Sequence, residues 1–557
     1  MPQDSFEYLW RRVKPPEALP KTAPFGYRKS LEDGMAIERD VAVAMRDGVR
    51  IYIDLFRPEG VASDLPVLIA WGPYGKHNPR GVYERFHNNA SVKPEWISRH
   101  CGFESPDPLY WCRHGYAVIY ADPRGTWNSE GKATFWSSDE ARDFHDLIEW
   151  AGIQPWSNGK VGLAGVSYFA IMQWQVAALR PAHLAAINPW EGYSDSYRER
   201  LKHGGIPETL FGPQWLDRSI YARGEVEDVN AMIEQHPFFD AYWKTKAPDL
   251  SRIEVPAYVV ASWSDQGLHT RGTLEGFKQM SSRQKWLEVH GRYKWEYFHH
   301  PDNVEKQRAF FDHFLKGSSD EVLQWPRVNI EVREAHYQGR MRAETEWPLA
   351  RTRYTRLYLD GASGTLQDTA PAQEAEARYD ARQGRSTFDH RFTQDTELTG
   401  HMKLRLWVET TEGHDMDLLV AVQKLDAQGR EVPFAFFSVY DNGPVALGWL
   451  RVSHREQDPR RSTEWQPWLL HERELPLQPG ECVPVDIEIW ASSTLFRAGE
   501  SLRVVVQGHD YFELTPKGPM LGHNDLRNEG THILRTGGRY DAHLLMPVIP
   551  PTTEKTP

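Results

Sequence analysis

The feature that most limits what this chain can fold into is one junction. A run of apolar and small residues, Val161–Val166, passes through Gly165-Val166-Ser167-Tyr168 straight into a second apolar stretch, Tyr168–Arg180. A short apolar run without alternation is a strand buried on both faces. The stretch after it is predicted to be a helix, and Pro181 stops it. A serine in so tight a strand-to-helix turn is lifted clear of the sheet, with the helix N-terminus beside it. Gly165 is the small residue such a turn needs. The second glycine of the usual Gly-x-Ser-x-Gly is Phe169 here. The plainer alternative is a serine that only caps the helix.

The same grammar recurs along the first part of the chain. Pro66–Trp71 and Tyr116–Ala121 are further buried strands, and residues 38–56 read as a hairpin about Asp47-Gly48. Ser137 and Glu140 have capping-box spacing, and Phe144, Leu147, Ile148 and Ala151 then form one helical stripe up to Gly152. Residues 191–250 break the alternation with charged and aromatic residues, including a helical stretch over 226–235. They read as an insertion lying over the sheet. Strands at Val255–Ala261 and Trp286–Val289 then alternate with helices at Thr270–Met280 and Val304–Lys316, the last ending at Gly317. Beyond about 325 the segments are short and alternating, such as Leu404–Glu409, Leu418–Gln423 and Leu502–Gln507, with turns between them. That is the pattern of a β-sandwich or jelly roll.

The expected organisation is a proline-rich surface arm (1–27) and an α/β-hydrolase domain in two parts (28–190 and 251–320). A helical cap is inserted at 191–250, and an all-β jelly-roll domain spans 325–550.

Composition narrows the function classes. With 557 residues and a net charge of −12, the chain lacks the basic balance of a general nucleic-acid binder. No apolar run approaches the ~18 residues of a membrane helix. Cys101, Cys112 and Cys482 are too few for a disulfide framework and lack metal-ligand spacing; free buried thiols are expected. Arg11-Arg12 runs into Val-Lys-Pro-Pro and not into an apolar core, so no leader is read and a cytoplasmic location is expected. No cofactor and no metal is called for. A homodimer is left open.

A serine nucleophile needs an acid and a base, and they should follow it in the order Ser, Asp, His. The next strand ends in Ala261-Ser-Trp-Ser-Asp265, whose one carboxylate is the candidate acid. Its alternative is a cap for helix 270–280. After the following strand comes His290-Gly-Arg-Tyr-Lys294-Trp-Glu-Tyr-Phe-His299-His300. His290 is the preferred base, with Lys294, His299 and His300 left as alternatives. The base must reach both the serine and the carboxylate. Strand 66–71 runs into Gly72-Pro-Tyr74-Gly-Lys76. The Tyr74 hydroxyl could donate to a developing oxyanion beside the Tyr168 N–H. On spacing alone, a packed loop tyrosine is the better reading.

These stretches, with Met45-Arg-Asp-Gly-Val-Arg50, Tyr120-Ala-Asp-Pro-Arg-Gly125, Ser129-Glu-Gly131, Gln154–Gly162 and Trp263-Ser-Asp265, carry a resemblance. The chain resembles the family of cocaine esterase, X-prolyl dipeptidyl peptidase and α-amino acid ester hydrolase, closely over 30–320 and more loosely beyond. The resemblance implies Ser167 as nucleophile, Asp265 as acid, and Tyr74 with the Tyr168 N–H as oxyanion donors. It implies that residues 191–250 cap the substrate site. The departure is at the base. The family's Gly-Pro-Trp-Ser-His places Lys294 at the serine and Trp295 at the histidine when aligned on Gly291.

The implied activity is hydrolysis of a small ester, or an amide, through an acyl-enzyme, with carboxylesterase preferred. Acyl transfer or cyclisation, X-prolyl peptidase action, and a binding protein with a degenerate triad are the alternatives. Among the remaining residues, an Asp122–Arg124 pair is expected to pin the loop beside the serine. Glu191 and Asp195 are expected in a solvated loop. Trp190, Trp263 and Trp295 are expected to be core.

Overall fold

The computed structural model describes residues 5–19, 24–76, 83, 86, 90–512 and 521–550. The strands of its first part that frame the site are β1 (Met35–Ala44), β2 (Arg50–Pro58), β3 (Leu65–Trp71), β4 (Ala117–Asp122), β5 (Ser157–Val166), β6 (Leu184–Trp190), β7 (Ala257–Ser262), β8 (Lys285–His290) and β9 (Val328–Ala335). Their order across the sheet is β1-β2-β4-β3-β5-β6-β7-β8-β9. The β1–β2 and β2–β4 pairs are antiparallel and every later pair is parallel.

Parallel strands need crossovers, and helices supply them. α1 (Ser138–Gly152) joins β4 to β5 and α2 (Tyr168–Ala177) joins β5 to β6. The Ser137 hydroxyl accepts from the Glu140 N–H at 3.1 Å. The reciprocal bond is displaced by one residue: Glu140 accepts from the Trp136 N–H at 2.8 Å. Every residue of α2 is buried, because the helix lies between the sheet and the segment that follows β6.

That segment holds α3 (Phe211–Ser219) and α4 (Val229–Gln235). The strand Glu225–Glu227 replaces the start of the expected helix and pairs with Trp10–Arg12 of the N-terminal arm. α5 (Thr270–Gln279) links β7 to β8. The stretch after β8, expected as a loop, enters α6 (Lys294–His299) and then α7 (Pro301–Phe311). A wider helical turn over Asp312–Lys316 carries α7 on to Gly317.

The C-terminal part is built mainly on two antiparallel sheets. One contains β10 (Arg353–Asp360), β12 (Thr396–Thr410), β15 (Val483–Phe496) and β17 (His543–Ile549). The other contains β11 (Arg385–Arg391), β13 (Asp417–Leu425), β14 (Ala446–Arg451) and β16 (Ser501–Gln507). Alternate residues of both, such as Leu404, Leu406, Val420 and Val504, share one core. The two parts are joined at Arg333 of β9. Its buried guanidinium donates to the Ser492 hydroxyl at 2.7 Å and the Val445 carbonyl at 3.0 Å.

Several expectations need correction. Arg124 pairs with Asp143 and Asp47, not with Asp122. Asp122 instead accepts the Lys76 N–H at 3.0 Å, and the buried Lys76 ammonium lies among Asp40, Asp54 and Asp122. This cluster ties the Gly72–Lys76 turn to β4. Glu191 and Asp195 are buried, not solvated. The three thiols are free, with Cys101 and Cys112 buried.

Candidate active site

Ser167 lies between β5 and α2 with φ 58° and ψ −115°. That is a strained backbone for any residue with a side chain. Two N–H···O contacts hold it: its own amide donates to the Trp190 and Glu191 carbonyls at 3.0 and 3.1 Å. Gly165, at φ 139°, is required. A Cβ there would sit 2.6 Å from the Phe169 Cβ and 2.9 Å from the Glu104 carbonyl oxygen. Phe169 fits in place of the usual glycine because its ring lies over Gly72, where a Cβ would meet it at 2.6 Å.

The imidazole that meets Ser167 is His269. Its Nε2 is 3.0 Å from Ser167 Oγ. His269 precedes α5 and stands four residues after Asp265. The Asp265 carbonyl accepts from the N–H groups of Leu268, His269 and Thr270, so the chain turns back on itself at once. The ring stacks on Tyr193, with centroids 5.5 Å apart. Burial first, and then the Lys294 and Arg200 charges, hold its pKa well below the ordinary value. It is therefore neutral at pH 7. The Tyr193 N–H donates to Nδ1 at 3.3 Å. This assigns the ring proton to Nε2 in the resting state.

His290, the expected base, is elsewhere. Its buried ring stacks on Tyr297 at 3.8 Å, its Nδ1 accepts the Arg292 N–H, and its Nε2 is 3.2 Å from Glu191. Burial lowers its pKa to about 3. The reason is local. β8 ends at His290 and the chain turns toward α6, so the ring stays inside the strand end. His299 is hydrogen-bonded to the Tyr83 hydroxyl at 2.7 Å, and His300 packs on Trp96. His269 also follows Ser167 and Asp265 in chain order, so the ordering rule admits it. The legible signal was the four-residue spacing from Asp265 at the start of a helix.

Asp265 and Lys294 face each other. Lys294 Nζ is 2.7 Å from Asp265 Oδ2, and both side chains are buried. Burial opposes the ammonium, but Asp265, Glu191 and Glu104 raise its pKa above the ordinary value. Burial raises Asp265 to about 6, against the pull of Lys294. Glu104 and Glu191 are each pushed up to about 8 by burial, with Lys294 opposing. At pH 7 the cluster thus holds one ion pair and two largely neutral carboxyl groups.

Tyr74 accepts a hydrogen bond from Trp215 Nε1 at 3.2 Å. Burial, followed by the Glu104 charge, raises its pKa, so its O–H remains a donor. The Tyr168 N–H is at the first position of α2, where no earlier turn can accept it. The Tyr168 hydroxyl is occupied by Glu140 at 2.8 Å. A cleft opens over Ser167, and Tyr74, Phe103, Trp215, Lys294 and Trp295 line it. Trp295 is thus a wall of the cleft, while Trp190 and Trp263 are core. Among the described residues no group of His, Cys, Asp and Glu could hold a metal, and no helix is long and apolar enough to cross a membrane.

Comparison with known proteins places the chain among hydrolases. Residues 47–231 match the X-Pro dipeptidyl-peptidase (S15 family), and 321–545 match the X-Pro dipeptidyl-peptidase C-terminal non-catalytic domain. Cocaine esterase from Rhodococcus is 25% identical over 93% of this chain and 100% of its own. An α-amino acid ester hydrolase structure, 18% identical, covers 96% of this chain and 100% of its own with a TM-score of 0.70, a likeness of fold alone. The crystal structure of a CocE/NonD family hydrolase from Staphylococcus aureus is 40% identical, covers 96% of this chain and 99% of its own, and has a TM-score of 0.88. This chain, with its serine at the strand–helix turn and its mostly β C-terminal part, belongs to the CocE/NonD hydrolase family.

Proposed function

We propose that Ser167 and His269 form the catalytic dyad of a carboxylic ester hydrolase, with an α/β-hydrolase core, a cap over 191–250 and a jelly roll at the C-terminus. The chain is a serine hydrolase of ester bonds. The observation that carries the assignment of residues is the 3.0 Å contact between His269 Nε2 and Ser167 Oγ at the strained turn.

Ser167 Oγ attacks the ester carbonyl carbon, and its proton passes to His269 Nε2. Nε2 can accept only when the ring proton is on Nδ1, so the Tyr193 amide contact opens during the cycle. The Tyr74 hydroxyl and the Tyr168 N–H donate to the oxyanion, a term commonly worth a hundredfold or more in rate. The carbon–oxygen bond to the alcohol breaks, and the alcohol takes the proton from His269. Water then attacks the acyl-enzyme by the same path and releases the acid. Lys294 is not the base in this reading, because Asp265 holds it as an ammonium. Its role is to neutralise Asp265 beneath the loop that carries His269. The aromatic lining suits an apolar or aryl ester.

Labelling with a fluorophosphonate, mapped by peptide mass spectrometry, tests the reading. Ser167 should be modified, and Ser167→Ala should lose both label and turnover while keeping its fold. Undiminished turnover in Ser167→Ala would end it.

A further inference from the structure

Arg200 is a buried cation that enters none of the steps above. It lies in the wider helical turn Tyr197–Leu201 of the insertion and is 2% exposed. A guanidinium keeps its charge when buried, so it needs partners there. Its Nη1 has no hydrogen-bond partner among the described residues. Four rings surround it instead: Trp136 at 4.3 Å, Phe211 at 5.3 Å, Trp215 at 5.5 Å and Tyr193 at 5.9 Å. Two of these, Phe211 and Trp215, line the cleft, and the guanidinium lies behind them.

The contacts of Trp215 converge on both oxyanion donors. Its indole stacks on the Tyr168 ring, 14° from parallel and 5.9 Å away. Its Nε1–H donates to the Tyr74 hydroxyl oxygen at 3.2 Å. A phenol oxygen that accepts one bond still has its own O–H to give. The indole bond fixes where that O–H can point, because it occupies a lone pair. A cation over an aromatic face draws the ring's electrons toward itself. The indole N–H is then a better donor, and in a chain of hydrogen bonds each donor strengthens the next. Burial and the Glu104 charge push the Tyr74 pKa up, while the Trp215 bond and the Arg200 charge oppose them.

We propose that Trp215 and Arg200 are positioning residues of the oxyanion site: Arg200 polarises the indole, and the indole N–H orients the Tyr74 hydroxyl and strengthens its donation to the oxyanion. This rests on Ser167 as nucleophile and Tyr74 as a donor. Neither residue touches the reacting atoms, so each acts only through Tyr74.

The test uses the full chain with Tyr74→Phe, Trp215→Phe, Arg200→Met and Arg200→Lys, and phenyl acetate as substrate. Tyr74→Phe should lower kcat/KM by roughly a hundredfold, the scale of one oxyanion donor, and Trp215→Phe and Arg200→Met by about tenfold each. Arg200→Lys keeps a cation and should recover most of the loss. Phenylboronic acid gives a second readout. Ser167 Oγ adds to its boron, the Oγ proton passes to His269, and the adduct is a tetrahedral anion. Its inhibition constant should weaken in step with kcat/KM. In a Tyr74→Phe background, Trp215→Phe and Arg200→Met should each cost less than about twofold more, because the group they act through is gone. Losses that add in full in that background would mean that both residues act through packing, and would overturn the proposal. Unchanged kcat/KM and inhibition in the single variants would do the same. Full activity in Tyr74→Phe would overturn the oxyanion reading itself, and the proposal with it.

Discussion

Two segments leave the same edge of the sheet on neighbouring strands, and they treat their histidines in opposite ways. After β7 the chain turns tightly, because the Asp265 carbonyl collects three successive N–H groups, and one histidine is delivered to Ser167. After β8 the chain holds three histidines and delivers none of them to it. His290 stays in the strand end, and α6 turns Lys294 and Trp295 toward the buried carboxyl cluster while His299 bonds to Tyr83. The number of histidines in a segment says little about catalysis. The turn that returns one side chain to the serine decides it.

The comparison can be broken most sharply at His269. His269→Ala should lower kcat/KM by about a thousandfold, within the range for removing a general base, and leave the fold intact. A loss that size in His290→Ala, with His269→Ala active, would reverse the assignment. Next comes Lys294→Met, which strands the buried Asp265. Breaking a buried pair from one side costs about 3–5 kcal/mol, readable in urea unfolding. Adding Asp265→Asn should restore most of it; failure to do so would mean that the pair is not the reason.

Glu191 gives a smaller, pH-dependent effect. Its pKa is raised from 4.5 to about 8 by burial. A raised carboxyl contributes stability that is fully present below the unfolded pKa and is lost as pH climbs through the folded value. Glu191→Gln should therefore match the parent Tm near pH 4, below the unfolded pKa, and exceed it by a margin that grows up to about pH 8 and holds at pH 9. Parallel Tm curves would contradict the burial argument. The least effect is expected at His300, whose side chain is 43% exposed. His300→Ala should change kcat/KM less than twofold, and a large loss would show that the segment after β8 does reach the site.

Much of this was legible beforehand. The strand–serine–helix junction, the order of alternating elements and the change to short strands after about 325 all appear in the pattern of apolar residues. Asp265 was expected to orient the base; in the structure its carboxylate faces Lys294. His290 was expected at the serine from its position after a strand, but the histidine that meets Ser167 is His269, passed over as part of a helix start. Asp122 and Arg124 were misread as partners. Neighbours in sequence diverged because Lys76 claimed one and Asp143 the other. Glu191 was read as part of a solvated loop after the strand that follows the Ser167 helix. Only its packing against His290 and near Lys294 shows otherwise.

The sequence alone was enough for whatever depends on near neighbours. Apolar runs make buried strands, Gly165 permits the turn at Ser167, and Pro181 limits the helix that follows. The folded molecule was needed for whatever depends on distance. His269 meets a serine 102 residues away. Lys294 meets Asp265 from beyond the next strand, and residues 437–440 of the C-terminal part line the cleft. The physical reason is that hydrogen bonds, ion pairs and burial act over a few ångströms in space. Chain separation carries no record of which distant groups will share those few ångströms, or of which carboxyl groups will give up their charge when they do.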